Sequence, residues 1–305
     1  MAEITLHEVG FRDGLQMEHQ TVPFETKLSW IERMFSSGVD VVQVGSFVHP
    51  TKVPQMADTD RLFTEIRSRG SRPDWVTLSA LVLNEKGLDR GLACGAELFC
   101  MGVSASETHS NKNTGMSVEE ATGRIIRMAQ SAEAAGARVQ LSVQSAFGCG
   151  YEGPVPHERV LEIMRRYLEA GFHNFSLADT AGHADPEAVE TLYQALFALD
   201  KGITAACHFH NTYGLALANC IAAQRSGVQS FESSVAGLGG CPFTKVAGGN
   251  TCTEDLIHLI QRRGIRKDID LQVLTGVASD IAAFFGREMA GMVYRTGPIP
   301  EFQQA

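Results

Sequence analysis

The tripeptide His208-Phe209-His210 has the residue types and spacing that most directly suggest chemistry in this sequence. Side chains alternate between the two faces of a β-strand, so both imidazoles would point the same way. Two imidazoles with a carboxylate and a carbonyl oxygen suit an octahedral divalent ion that keeps positions open for water or substrate. The other interpretation is a pair of structural histidines, and the tripeptide alone leaves both open.

A second polar segment, near the N-terminus, supplies the carboxylate that such a site would need. Arg12-Asp13-Gly14 follows a strand-like run that ends near Glu8. By itself the tripeptide indicates little, because an Arg-Asp pair before a turn glycine is common on protein surfaces. An Asp13 that lies at one strand end, with His208 and His210 at another, favours the metal interpretation.

A third segment, residues 236–250, is unusually rich in glycine, with five glycines in fifteen residues. This composition disfavours the interior of a helix or a strand, and a long structured loop is usually functional. We therefore expect a mobile loop that exposes Cys241 and ends at Asn250. The alternative for Cys241 is a buried, inert thiol, which is the usual state of a free cysteine.

The elements that must position these residues form a repeating pattern of strand and helix. Eight short apolar or β-branched runs alternate with longer helical stretches, as in consecutive βα units. Such a series without a long polar linker predicts an α/β protein with a closed (β/α)8 TIM barrel. The predicted strands are residues 3–9, 40–46, 76–82, 97–103, 138–144, 173–178, 203–209 and 229–235.

In a barrel of this kind the reacting groups lie where strands end and the following loops begin. Besides the residues above, the polar side chains at such positions are candidates for contacts with a substrate. They are Gln43, Ser46, Ser176 and Asp179, together with Gln16 after the first strand.

Helix-start signals separate the strands and continue beyond the last one. Residues 117–120 and residues 251–254 have the pattern of capping boxes, and Asp185-Pro186 reads as an N-cap followed by proline at the first helical position. We expect a catalytic barrel over residues 1–269. Residues 270–305 would form an extra helix, at about 272–286, and a tail packed on the barrel.

Composition and charge exclude several classes of protein. The net charge of −9 argues against a nucleic-acid partner, and no apolar run reaches the length of about 20 residues that spans a bilayer. Seven scattered cysteines without a C-x-x-C pair indicate reduced thiols. The N-terminus enters a strand-like pattern at once, which leaves no room for a leader. We expect a cytoplasmic enzyme that binds neither nucleic acid nor membrane.

Taken together, these segments resemble the 3-hydroxy-3-methylglutaryl-CoA lyases, a family of metal-dependent, aldolase-like TIM-barrel enzymes. The most specific match is Gly-Leu-Gly-Gly-Cys-Pro at 237–242, whereas Arg-Asp-Gly is shared with related Claisen-type synthases and aldolases. The resemblance runs from about residue 3 to 264. The matching segments are 8–16, 46–50, 53–56, 104–107, 148–153, 208–214, 233–242, 249–250 and 253–256.

The resemblance implies a role for each matching residue. Arg12 would stabilise an enolate, Cys241 would be the catalytic thiol of the mobile loop, and Glu8 matches an acidic position of the family motif. His208 would be both a ligand and a candidate base. The implied ligands of Mg²⁺ or Mn²⁺ are Asp13, His208, His210 and Asn250. The implied reaction is retro-Claisen cleavage of an acyl-CoA to acetyl-CoA and a keto acid such as acetoacetate, in a protein expected to be a homodimer.

Three departures from the family pattern affect the expected substrate. Gln43 stands where these lyases usually have Glu, Phe11 replaces Pro, and Asn211 replaces Asp. A glutamine can neither accept a proton nor add negative charge near a metal. A related 3-hydroxyacyl-CoA lyase with a different acyl substituent is therefore one alternative, and a Claisen-type synthase or aldolase on the same barrel is another. A barrel that has lost activity and acts as a regulator is the third.

Overall fold

The computed structural model describes residues 4–240 and 249–299. Within these residues eight parallel strands form a closed barrel in chain order, with the first strand paired to the eighth. All eight predicted strands are confirmed to within two residues at each end. They are β1 Thr5–Glu8, β2 Val41–Ser46, β3 Thr77–Leu81, β4 Leu98–Ser104, β5 Arg138–Gln144, β6 Asn174–Asp179, β7 Thr204–Phe209 and β8 Ser230–Ser233.

Helices connect the strands and continue after β8, which confirms the (β/α)8 barrel with a C-terminal helical extension. Their amphipathic faces cover the outside of the barrel. The helices of the described part are α1 Phe24–Ser36, α2 Thr59–Arg69, α3 Glu85–Cys94, α4 Glu107–Thr114, α5 Val118–Ala134, α6 His157–Glu169, α7 Pro186–Leu199, α8 Ala216–Arg225, α9 Thr253–Arg262, α10 Leu271–Phe285 and α11 Val293–Thr296. None of them is long and apolar enough to cross a membrane.

The extension packs on the barrel through α10. This helix contacts α1 and the 3-10 turn Val235–Gly237. The rings of Trp30 and Phe284 meet edge to face with their centroids 5.6 Å apart, and Arg33 pairs with Asp280. The division of the chain at residues 269 and 270 stays a prediction.

Two of the three predicted helix starts are confirmed. Ser117 and Glu120 form a reciprocal capping box at α5, and Asp185 caps α7 ahead of Pro186. The third, at residues 251–254, is wrong, because α9 begins at Thr253 after Cys252 with no side-chain cap. The hydroxyl of Thr251 donates instead to the carbonyl of Phe209, which ties this segment to β7.

The two faces of the barrel wall differ in polarity. The outer face packs aliphatic and aromatic side chains against the helices in one large core. Inside the barrel, Val41, Leu98 and Cys100 form only a small apolar cluster. His7 and Ser79 are hydrogen bonded at 2.8 Å between β1 and β3, which are not neighbours in the sheet, so this bond crosses the interior. A polar interior leaves room for a site instead of the usual layers of branched side chains.

Candidate metal and active site

A π-helical turn, Gly10–Gly14, places Arg12 and Asp13 just beyond β1. The amide of Asp13 donates to the carbonyl of Val9 at 2.8 Å. Single π turns of this kind are frequent at functional sites, because the extra residue in the turn re-aims side chains. Both side chains are almost fully buried and line the cavity at the carboxyl ends of the strands.

Asp13, His208 and His210 come together at this end of the barrel. Their possible ligand atoms all lie within 4.8 Å of one another. His208 Nε2 is 3.1 Å from His210 Nε2 and 3.5 Å from Asp13 Oδ2, and the distance from His210 Nε2 to Asp13 Oδ2 is 3.8 Å. These distances suit three ligands of one ion, and we call Asp13, His208 and His210 the metal triad.

Asn250 borders the metal triad. Its Nδ2 donates to Asp13 Oδ2 at 2.9 Å, and its buried Oδ1 has no hydrogen-bond partner among the described residues. The neighbouring backbone must come very close, since a Cβ on Gly239 would lie 2.5 Å from Asn250 Nδ2. Gly239 also has φ +121°, which only glycine adopts easily. Because Asn250 contacts Asp13 and its carbonyl oxygen has no partner among the described residues, it is a candidate for a fourth ligand.

Glu232, which the sequence analysis did not select, contacts the Nδ1 side of the His208 ring. Glu232 Oε2 lies 2.9 Å from His208 Nδ1, and the two residues are direct partners in the pairing of β7 and β8. Although burial opposes its ionisation, the hydrogen bond and charge of His208 lower the pKa of Glu232 to about 2. The contact directs His208 Nε2 toward Asp13. Alternation along β8 places Glu232 inward, but only the register with β7 reveals its partner.

The charges within the metal triad favour an ionised aspartate. Burial opposes ionisation of Asp13, but Arg12 and the two histidines outweigh it and hold its pKa well below the usual range. Burial alone would lower the pKa of His208, yet Asp13 and Glu232 raise it to about 10. Burial, reinforced by the charge of His208, lowers the pKa of His210 to about 4. Asp13 and Glu232 therefore favour a positive charge at His208, and a bound cation would supply that charge in place of the proton.

Arg12 is held by the two side chains next to it. Its Nε donates to Gln43 Oε1 and its Nη1 donates to Asp13 Oδ1. Gln43 Nε2 is buried with no hydrogen-bond partner among the described residues. The strand pairing shifts register between Gln43 and Gly45, at the point where Gln43 enters the cavity. Gln43 thus orients Arg12 through its amide oxygen and keeps an N–H donor available.

The cavity has a volume of about 390 Å³ and contains most of the predicted site. A volume of this size falls in the range of small-molecule sites. The predicted residues that line it are Arg12, Asp13, Gln16, Gln43, Ser176, His208 and His210.

Besides Asn250, three predicted residues are buried outside the cavity lining. Glu8 accepts from the amides of Gly10 and Val235 and, at 2.6 Å, from the hydroxyl of Thr253. Asp179 accepts from the amides of His183 and Ala184. Ser46 is fully buried. Glu8 and Asp179 therefore anchor the loops around the site through these hydrogen bonds. Neither side chain lines the cavity, so the predicted catalytic role of Glu8 and the predicted substrate-binding role of Asp179 stay predictions.

Cys241, the predicted catalytic thiol, lies outside the described residues. The segment that leads to it is described as far as Gly240, which lines the cavity. Its role stays a prediction from the resemblance.

The fold and the metal triad define a (β/α)8 barrel enzyme with a possible metal site at the carboxyl ends of its strands. A family model described as HMGL-like matches residues 3–281. The chain belongs to this family, and it is accordingly a carbon–carbon lyase.

Relatives and solved structures agree with this assignment. The chain is 35% identical over 287 residues to a hydroxymethylglutaryl-CoA lyase of Bacillus subtilis, covering 94% of this chain and 95% of that one. It is 35% identical over 285 residues to a 3-hydroxy-3-isohexenylglutaryl-CoA/hydroxymethylglutaryl-CoA lyase of Pseudomonas aeruginosa, covering 93% and 94%. An HMG-CoA lyase from Acinetobacter baumannii, solved with coenzyme A and 3-methylmalate, superposes with a TM-score of 0.91 at 31% identity, covering 99% and 98%.

Proposed function

We propose that this chain cleaves 3-hydroxy-3-methylglutaryl-CoA, or a close relative of it, to acetyl-CoA and a keto acid such as acetoacetate. The observation that carries the proposal is the metal triad beside Arg12 in one cavity. The relatives named above as hydroxymethylglutaryl-CoA lyases, and the neighbour that binds coenzyme A, support an acyl-CoA substrate.

The resident ion would be Mg²⁺ or Mn²⁺, held by Asp13, His208, His210 and the carbonyl oxygen of Asn250. The buried Oδ1 of Asn250 and the close Nε2 atoms of the histidines fit such an ion. Mixed oxygen and imidazole ligands with open positions are typical of these metals. When bound, the ion supplies Lewis acidity, which lowers the pKa of a substrate hydroxyl.

The bond changes balance in two steps. The C3 hydroxyl loses its proton, the C2–C3 bond breaks, and C3 becomes a ketone while the electron pair passes to C2 and the thioester oxygen as an enolate. The enolate carbon C2 then takes a proton to give acetyl-CoA. The Nδ1 of His208 is hydrogen bonded to Glu232, and its Nε2 faces Asp13. Because both nitrogens are occupied, we propose that a water molecule in the cavity accepts the proton of the hydroxyl.

Arg12 would stabilise the thioester oxygen as it gains charge. The contact strengthens as the bond breaks, and such a contact accelerates the reaction because it favours the transition state over the ground state. Gln43 and Asp13 hold the guanidinium in place beforehand. Cys241 would donate the proton to C2, a role that rests on the resemblance alone.

The alternative acyl-CoA substrates differ in the group attached to C3. Gln43 in place of the usual carboxylate and the dual-substrate name of the Pseudomonas relative favour a differently substituted 3-hydroxyacyl-CoA. A Claisen-type synthase would run the same chemistry in reverse, so both directions are to be assayed with acetyl-CoA. We also propose that the protein is a cytoplasmic homodimer. Light scattering of the purified protein measures its molar mass and so tests the number of subunits.

The proposed function is tested with metal-depleted protein, 3-hydroxy-3-methylglutaryl-CoA and branched analogues. We expect acetyl-CoA and a keto acid in equal amounts once Mg²⁺ or Mn²⁺ is added. His210→Ala should lose this activity, while the matched control His173→Ala, at an exposed histidine, should keep it. Failure of the metal-loaded protein to cleave any member of the panel would refute the proposal and leave the regulator interpretation.

A further inference from the structure

The cavity continues beyond the metal triad in one direction. It passes the ends of β3 and β4 and reaches the inner faces of α4 and α5. We call this part the α4–α5 arm. Its apolar lining consists of Leu81, Leu83, Met116, Ala121 and Ile125.

Most polar side-chain atoms along the α4–α5 arm are hydrogen bonded to protein groups. The hydroxyl of Ser110 donates to the carbonyl of Met116 at 2.9 Å, and that of Thr114 donates to the carbonyl of Ser110 at 2.8 Å. Asn113 is bonded to His109, and Arg124 pairs with Glu85 through two contacts. The arm therefore offers aliphatic surface more than polar groups in need of a partner.

We infer that the α4–α5 arm binds an apolar substituent on C3 of the acyl group that is larger than methyl. The inference rests on the proposed function, because the C3 hydroxyl must lie at the metal triad for cleavage. A substituent on C3 then starts where the arm starts. The competing occupant is the pantetheine chain of coenzyme A, whose two amides need hydrogen-bond partners. Most of the arm's own polar groups are already hydrogen bonded within the protein, which favours the apolar substituent.

The first test compares wild-type protein on 3-hydroxy-3-alkylglutaryl-CoA thioesters from methyl to butyl. Each methylene that the arm buries should raise kcat/KM about fourfold, the factor that burial of one methylene in an apolar site supplies. A kcat/KM that falls steadily with chain length overturns the inference, while cleavage of the methyl compound still upholds the proposed function. Cleavage of none of the thioesters refutes the proposed function itself.

The second test blocks the arm with Met116→Trp. The quantity measured is the ratio of kcat/KM for the butyl to that for the methyl thioester, which should fall toward one. The matched control Met292→Trp, at an exposed methionine, should keep the wild-type ratio. An arm that held pantetheine would instead leave the ratio unchanged and would weaken the binding of free coenzyme A in Met116→Trp, and that result overturns the inference.

A further variant, Leu83→Gln, keeps the inference testable if Met116→Trp does not fold. Leu83 is 39% exposed, so this change puts an amide into the arm at little risk to the core. We expect it to lower the butyl-to-methyl ratio, because an amide in the arm disfavours a longer alkyl chain. An unchanged ratio in Leu83→Gln, with a native circular dichroism spectrum, contradicts the inference.

Discussion

Gln43 shows how one neutral amide can keep part of a carboxylate's role and lose the rest. Its Oε1 accepts from Arg12, as a carboxylate oxygen would, so the guanidinium remains oriented. Its Nε2 adds a buried donor without a partner in the described part of the chain. Relative to the Glu that the resemblance implies at this position, Gln43 lacks a negative charge and a proton acceptor but still holds Arg12.

We expect Gln43 to shift substrate preference without abolishing cleavage. Wild-type protein should be weak on 3-hydroxy-3-methylglutaryl-CoA and better on a differently substituted analogue, and Gln43→Glu should narrow that difference. Steady-state kinetics of both proteins on both thioesters check this. Full wild-type activity on the methyl compound, unaltered in Gln43→Glu, would remove the specificity role.

Arg12→Lys should cost far more activity than the retained charge suggests. A guanidinium makes directed bonds to Gln43 and Asp13 and keeps further donors for the thioester oxygen, which an ammonium cannot match. We expect kcat to fall by a factor on the order of 10², as when one oxyanion donor is lost. Arg33→Lys, in a surface ion pair, is the control. Equal turnover of both variants would make Arg12 a structural residue.

Glu232→Gln should weaken metal binding, because the carboxylate fixes the ring of His208. Loss of such a supporting carboxylate typically lowers metal affinity by about 10- to 100-fold. Competition with a fluorescent chelator measures the affinity without reference to turnover. Glu158→Gln, at an exposed ion pair, provides the comparison, and Glu232→Asp should recover part of the loss. Metal affinity equal to wild type in Glu232→Gln would contradict this role.

At the scale of elements, strands could be predicted from short apolar or β-branched runs, and helices from apolar residues that recur with a period near 3.6. Special turns could not. The π-helical turn Gly10–Gly14 has no periodic pattern in the sequence. Residues 251–254 have the residue types of a capping box, but the hydroxyl of Thr251 is hydrogen bonded to the carbonyl of Phe209 instead. Asp13 and the histidines were predictable from their positions at strand ends, whereas Glu232 depended on the pairing of two strands.

The 3-10 turn Val235–Gly237 is held between two buried carboxylates. Glu8 accepts from the amide of Val235, and Glu254 accepts from that of Ala236, whose φ of 62° is unusual for alanine. These contacts fix the start of the segment that ends at Asn250. Buried carboxylates at the base of a loop make its stability depend on pH.

Burial raises the pKa of Glu8 from 4.5 to about 7. The folded protein therefore binds this proton more tightly than the unfolded chain, so Glu8 lowers the free energy of unfolding as pH rises from about 4.5 to about 7. Glu8→Gln should lack this contribution. Urea denaturation of both proteins across that pH range measures the difference in their free energies of unfolding. If this difference did not change with pH, the expected titration of Glu8 would be contradicted.

At the scale of the whole molecule, the metal triad joins the first strand to the seventh. An ion bound there stabilises only the closed barrel, because the unfolded chain does not assemble the ligands. At a free metal concentration of 100 Kd the gain should be about 2.7 kcal/mol. Thermal unfolding with and without Mn²⁺ tests this, and His210→Ala should remove most of the difference. A Tm that is unaffected by metal in the wild type would argue against the site.

The distance along the chain between Asp13 and Asn250 also constrains when the site can exist during synthesis. The two side chains are hydrogen bonded but 237 residues apart in sequence. A ribosome that adds 5–20 residues per second needs roughly 10 to 50 s to cover that interval. For most of that interval the N-terminal segment lacks both the histidines and β8, the strand that pairs with β1. An ion at this site would therefore be acquired only after nearly the whole barrel has emerged, and it would not guide the early stages of folding on the ribosome.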